Sequence, residues 1–220
     1  MHQVRSNAAP HVHGCRNWCD ASGNELTLRP VQAQDAQLLA QLLEQGLSRE
    51  SRYRRFHGAL GRVSAGRLAQ MTEADFDRHV CFVVSCEVDG VEQLVAEGRY
   101  HLTPREGGAE FALAVADAWQ RRGIGRRLME ALVAAARERQ VDRLRGEVLA
   151  DNPAMAGLME ACGFLVDAHP EDEGLLQATR SLPAAARPRT GGIASHWMAA
   201  CTQHLLAARM ALGLARAVVR

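Results

Sequence analysis

Leu113-Ala-Val-Ala-Asp-Ala-Trp-Gln-Arg-Arg-Gly-Ile-Gly-Arg-Arg127 decides how this chain is read. Alternating apolar residues end in a polar loop, and two glycines then open a run with helical spacing. Ile124, Leu128, Ala131, Leu132 and Ala135 fall on one stripe, while Arg126, Arg127, Glu130, Arg137 and Glu138 mark the wet side. A helix start carries N–H groups with no intrahelical partner, and the helix dipole adds partial positive charge there. Such a start is an anion site. Glycine at 123 and 125 lets phosphate oxygens reach the backbone with no Cβ in the way. The turn Gln120, Arg121, Arg122, Gly123, Ile124, Gly125 and Arg126 therefore suits a pyrophosphate. The guanidinium groups of Arg121, Arg122, Arg126 and Arg127 offer charge-assisted contacts to it or to a sugar phosphate.

Two other phosphate motifs fail on the same residues. The dinucleotide fingerprint needs a third glycine at 128, where leucine stands. The P-loop needs Gly-Lys, and the chain has no lysine.

Upstream, Leu26-Thr-Leu-Arg-Pro30 reads as a short edge strand and Asp35 to Leu47 as a helix. Further helical pieces carry Tyr53, Phe56 and Leu60, and then Ala65 to Met71. The period changes to two for a strand over His79 to Val88. Asp89-Gly90 marks a hairpin, Glu92 to Leu102 the returning strand, and Ala109 to Ala116 a third strand. Downstream, Leu144 to Leu149 is a strand, so strand, helix and strand make a right-handed parallel crossover. Asp151-Asn152-Pro153 starts a helix that Gly163 stops. Strands follow at Phe164 to Ala168 and Leu175 to Thr179. Residues 1–24 show no periodicity and are expected to be a mobile tail. Residues 183–194 read as a linker, and 195–220 as an amphipathic helix. That helix would dock on its own domain, on a second copy in a homodimer, or on a membrane surface.

The 220 residues carry a net charge of +1, which gives no global field for nucleic acid. No apolar run is long enough to span a bilayer, and the start lacks the layout of a secretory leader. The six cysteines follow no disulfide framework, so a cytoplasmic, reduced protein is expected. His11, His13, Cys15 and Cys19 have ligand types at plausible spacing but lie in the aperiodic tail and match no standard site, so no metal is expected.

Gln120-Arg-Arg-Gly-Ile-Gly125 resembles the acetyl-CoA signature of the GNAT acetyltransferase superfamily. Asp151-Asn-Pro153 through Cys162-Gly-Phe164 is similar to its later block, which brings in Asn152 as a cofactor contact. Leu28-Arg-Pro30, Ser51-Arg-Tyr-Arg-Arg-Phe56 and Ala109-Glu-Phe-Ala112 resemble the catalytic domain of bacterial protein lysine acetyltransferases. The resemblance implies an α/β (α+β) GNAT domain over residues 25–182. Its mixed, mostly antiparallel sheet would be splayed after the fourth strand, with acetyl-CoA in the gap and the backbone N–H of Val115, or its neighbour, on the thioester carbonyl. The implied reaction is direct acetyl transfer to a primary amine, a protein lysine or a small molecule. A non-catalytic acyl-CoA-binding module is the alternative.

Such a transfer needs the neutral amine. A lysine near pKa 10.4 is almost wholly protonated at pH 7, and freeing it costs roughly 4 to 5 kcal/mol. A carboxylate at the acceptor is the usual remedy. Glu110 is the expected base, because an apolar strand would bury it and raise its pKa. The resemblance likewise implies a catalytic Glu in this block. Glu97 is the reserve. Where many relatives carry a tyrosine acid, Met159 stands, and Cys162 is read as core.

Overall fold

The computed structural model describes residues 15–58, 61–103 and 108–183. Every described residue lies within one compact unit. The expected linker beyond residue 183, the C-terminal helix, His11 and His13 lie outside the described residues.

The elements follow in the order β1 (Arg16–Cys19), β2 (Glu25–Pro30), α1 (Ala36–Gln41), α2 (Arg49–Phe56), α3 (Ala65–Thr72), β3 (His79–Val88), β4 (Val91–Thr103) and β5 (Gly108–Val115). After them come α4 (Ile124–Glu138), β6 (Arg143–Leu149), α5 (Pro153–Ala161), β7 (Leu165–Ala168) and β8 (Leu175–Ser181). They build one sheet in the order β1-β2-β3-β4-β5-β6-β8-β7. Every pairing is antiparallel except β5 with β6, which the α4 crossover joins in parallel.

Strand alternation sorts the core into two layers. Phe82, Val84, Tyr100, Phe111 and Leu144 pack with Leu128, Leu132 and Met159 under α4 and α5. Cys81, Val83, Leu94 and Ala114 pack with Leu39, Leu43 and Met71 under α1 and α3. Cys81 and Cys86 fall in opposite layers. Burial pushes the Cys81 thiol up to about 12, which keeps it protonated. The helix expected through Leu47 runs on to Gly46, with α1 widening into a π turn over Leu42–Gly46.

Residues 16–24 correct the expected mobile tail. Arg16–Cys19 pairs with β2, and Asp20 ties the connecting turn. Its carboxylate accepts from the backbone N–H groups of Ser22 at 2.8 Å and Asn24 at 3.0 Å, and from Arg122 Nη1 at 3.0 Å. The Trp18 ring lies under the Arg127 guanidinium at 5.0 Å. These partners are distant in sequence, so a four-residue strand forms without a pattern of its own.

The sheet opens between β5 and β6. Their register runs only over Gly108, Ala109 and Glu110 against Arg143, Leu144 and Arg145. At the next residue the Phe111 ring covers Gly146, where a Cβ would sit 2.5 Å from Cζ. The ring is braced edge-on by Phe164, at 5.1 Å and 62°. This is the splay expected after the fourth strand. It follows the fifth here because β1 adds a strand at the sheet edge.

Candidate active site

The opening between β5 and β6 is the mouth of a cleft of about 520 Å³. β5 from Glu110 to Val115 forms one wall, Glu147 and Val148 of β6 the other. The end of α2, the turn before α4 and the start of α5 close it.

The turn has the backbone of an anion cradle. Arg121 has φ 61° and Gly123 φ 79°, so two left-handed residues curl the chain into α4. No side chain caps the start of that helix. A Cβ at Gly125 would stand 3.0 Å from Leu158 Cδ2 and 3.7 Å from Val115 Cγ2, so glycine is what keeps the cradle open. Gln120 Nε2 donates to the Val115 carbonyl at 3.2 Å and to Asp117 Oδ1 at 3.2 Å, tying the end of β5 to the turn. A bulge in β4 aids this. Val95 falls out of register with β3, and its carbonyl accepts from Ala116 N–H at 2.8 Å.

Of the residues expected at the cofactor, Val115, Gln120, Arg121, Gly123, Gly125, Arg126 and Asn152 line the cleft together. Ile124 does not, since its side chain is buried in the core at 1% exposure and only its backbone faces the turn. Arg122 turns away. It pairs with Asp20 and stacks on the Trp119 ring at 4.7 Å. It lines a second, smaller groove with Trp18 and Arg127, and Gly123 and Arg126 border both. Asn152 Oδ1 accepts from Met155 N–H at 3.2 Å and so caps α5.

Glu110 lies in the cleft, but its expected burial fails. The residue is exposed, because it is the last rung before β5 and β6 part and no strand covers it beyond that point. Its rung crosses the sheet through His79, His101, Glu110 and Arg145. The rings of His79 and His101 stack at 4.0 Å. Burial holds His79 down at about 4, aided by His101 and Arg99, and burial lowers His101 as well.

The reserve base has the opposite problem. Glu97 is wholly buried and locked between two guanidinium groups. Arg55 reaches Oε1 through Nε at 2.9 Å and Nη2 at 2.8 Å, and Arg99 Nε reaches Oε2 at 2.9 Å. Burial opposes ionisation there, but Arg55 and Arg99 prevail and hold the carboxyl below the usual range. A carboxylate so held is a poor proton acceptor. It fixes α2 to the sheet and so sets Ser51, Arg54 and Phe56 along the cleft. Met159 is fully buried and offers no hydroxyl, and burial raises the Cys162 thiol, which fits a core residue.

Sequence reasoning missed His57 and Glu147, which also line the cleft. Alternation over β6 places Glu147 off the core face, and that signal was readable. His57 was not, since it follows the last turn of α2 with φ 50°. Among the described residues no group of three metal-ligating side chains occurs, and no helix is long and apolar enough to cross a membrane.

Comparison with known proteins bears on this geometry. The model of the acetyltransferase (GNAT) family matches residues 37–164. The chain is 30% identical to acetyltransferase PA5475 of Pseudomonas aeruginosa over 170 residues, 76% of this chain and 90% of that protein. It is 35% identical over 120 residues to acetyltransferase Pat of Mycolicibacterium smegmatis, covering 53% of this chain and 34% of that longer protein. The crystal structure of the GNAT domain of S. lividans PAT is similar with a TM-score of 0.67 and 29% identity, over 76% of this chain and 97% of that one.

Proposed function

The chain belongs to the GNAT acetyltransferase family and is an acyltransferase, and from that premise we propose that it moves an acetyl group from acetyl-CoA to a primary amine by direct attack in a ternary complex. The observation that carries this reading is the shared cleft. The uncapped start of α4, the end of β5 and the carboxylate of Glu110 open into one space.

The residues fit a diphosphate. Gly125 leaves room where any Cβ would meet Leu158, and the N–H groups from Gly123 to Arg126 point along the helix axis into the turn. Arg121 and Arg126 line the cleft and add positive charge, and Asn152 offers its amide Nδ2 while Oδ1 caps α5. Acetyl-CoA supplies an activated thioester. The N–H of Val115, or its neighbour, is the donor for charge that develops on the thioester carbonyl oxygen, a contact worth about 3 kcal/mol in such sites.

Glu110 is the proton acceptor. Its exposure at the cleft mouth supports this role, since an entering amine could meet it directly or through one water. With Met159 in place of a hydroxyl, the thiolate departs without a protein acid. The Ser51 to Phe56 and Ala109 to Ala112 likenesses favour a protein lysine over a small amine as acceptor.

Release of free CoA thiol over a panel of small amines and lysine peptides tests the reading. Glu110→Gln should lower kcat by about 10²-fold or more at neutral pH while acetyl-CoA KM holds. Raising the pH should narrow the gap, as more amine arrives deprotonated. Turnover unchanged in Glu110→Gln would overturn the base assignment, and no thiol release with any amine would overturn the activity.

A further inference from the structure

Two acids line the cleft, Glu110 and Glu147. They stand on opposite lips of the opening and on one face of the sheet. Glu110 pairs in register with Arg145, and Glu147 is two residues further along β6. Side chains two residues apart on a strand share a face. Extending the register past the last rung sets Glu147 opposite Ala112, between Glu110 and Val115 along the cleft.

Glu147 is held by an unusual pair of neighbours. His57 Nδ1, at the end of α2, stands 3.7 Å from Oε2. His169 Nε2, just past β7, stands 3.7 Å from Oε1. Both distances exceed hydrogen-bond range, and among the described residues no donor bonds the Glu147 carboxylate. The imidazoles confine it from two sides and leave its lone pairs for a third group. The cationic side chains nearby are engaged elsewhere. Arg55 binds Glu97, Arg54 pairs with Glu50 at 2.5 Å, and Arg67 lies 5.2 Å over the Phe56 ring. A half-exposed carboxylate confined in this way, on the path between the proposed base and the thioester end, has the chemistry to receive an ammonium ion.

We propose that Glu147, bracketed by His57 and His169, holds the ammonium of the acceptor opposite Glu110, so that the site selects acceptors that arrive as cations. The proposal rests on the amine-transfer reading and deepens it. Glu147 binds the charged amine, and Glu110 removes the proton from it. Aliphatic amines such as a lysine side chain gain from this contact. Weakly basic aromatic amines, neutral at pH 7, do not.

Calorimetry on the CoA-loaded protein tests the proposal without turnover. The probes are lysine blocked at its α-amine and carboxyl groups, and aniline. Glu147→Gln should weaken the lysine probe by at least about tenfold, the worth of a charge-assisted contact, while aniline binding stays within about twofold. Glu147→Asp should recover most of the loss. In steady-state assays Glu147→Gln should raise the KM of an aliphatic amine and leave kcat and acetyl-CoA KM within about threefold. Unchanged lysine-probe binding, or equal weakening of both probes, overturns the proposal. A silent Glu110→Gln would remove the base assignment and leave the binding result standing, so the two failures are distinguishable.

Discussion

The Phe111 ring covers Gly146 so closely that a Cβ at 146 would lie 2.5 Å from it. The ring cannot retreat, because Phe164 braces it on another side. Gly146→Ala should therefore cost at least about 2 kcal/mol, in the range of overpacked cores. Phe111→Leu in the same chain should return much of that loss. Urea unfolding of the two single variants and the double variant gives the coupling directly.

Gly125→Ala places a methyl group 3.0 Å from Leu158 Cδ2 at the mouth of the anion cradle. Acetyl-CoA KM should rise on the order of tenfold, as one charged hydrogen bond is lost, with kcat little changed. Gly123→Ala should act differently. Nothing lies within 4 Å of its Cβ position, but φ is +79°. It should lower stability by about 1–2 kcal/mol through backbone strain alone.

Glu97→Gln breaks a fully buried ion pair and strands Arg55 and Arg99. The expected loss is about 3 kcal/mol at pH 7. The sign with pH follows from the direction of the shift. The folded carboxyl titrates below its ordinary 4.5, so its stabilisation is complete above that value and is lost as pH falls beneath it. Denaturant midpoints at pH 7 and pH 3.5 should converge between the wild type and Glu97→Gln.

His79 works in a higher window. Folded, it titrates near 4 against an ordinary 6.5, since burial penalises its charged form. Below pH 6.5 the unfolded chain takes up the proton first, so stability falls from there down to about 4. His79 Nε2 is also buried with no hydrogen-bond partner. His79→Phe should match or exceed wild-type stability at pH 7.5 and lose less by pH 5, as melting temperatures at the two values would show.

Asn152 separates capping from binding. Asn152→Ala should lose about 1 kcal/mol of stability with the cap to Met155. Asn152→Ser keeps a capping oxygen and should keep stability. If the amide Nδ2 contacts the cofactor, both variants raise acetyl-CoA KM alike.

What could be read in the sequence was whatever is local or periodic. Glycines at 123 and 125, the alternation of β3 to β5 and the stripe of α4 each declare their element within a dozen residues, and the two motifs fixed their order. Facts settled by distant partners stayed hidden. β1 exists because Trp18 meets Arg127 and Asp20 meets Arg122 across about a hundred residues. Arg122 reads as one of four equivalent arginines, yet its place on the turn sends it to the far groove. Glu110 was expected to be buried from the apolar residues around it. Its exposure depends on which rung is the last, and that depends on Phe111 meeting Gly146. Glu97 and Arg55 are 42 residues apart, and nothing near either one announces a buried pair.

Three rungs alone stitch β5 to β6, so beyond Glu110 every second amide of β5 is turned toward a neighbour that the protein itself does not provide. An open border normally lies at a sheet's outer margin and invites other chains. Here it is interior to the sheet, flanked by the end of α2 and the start of α5. In the proposed acetyl transfer, a slender, extended guest bearing its own amides would complete the lattice there, its backbone standing in for a missing strand.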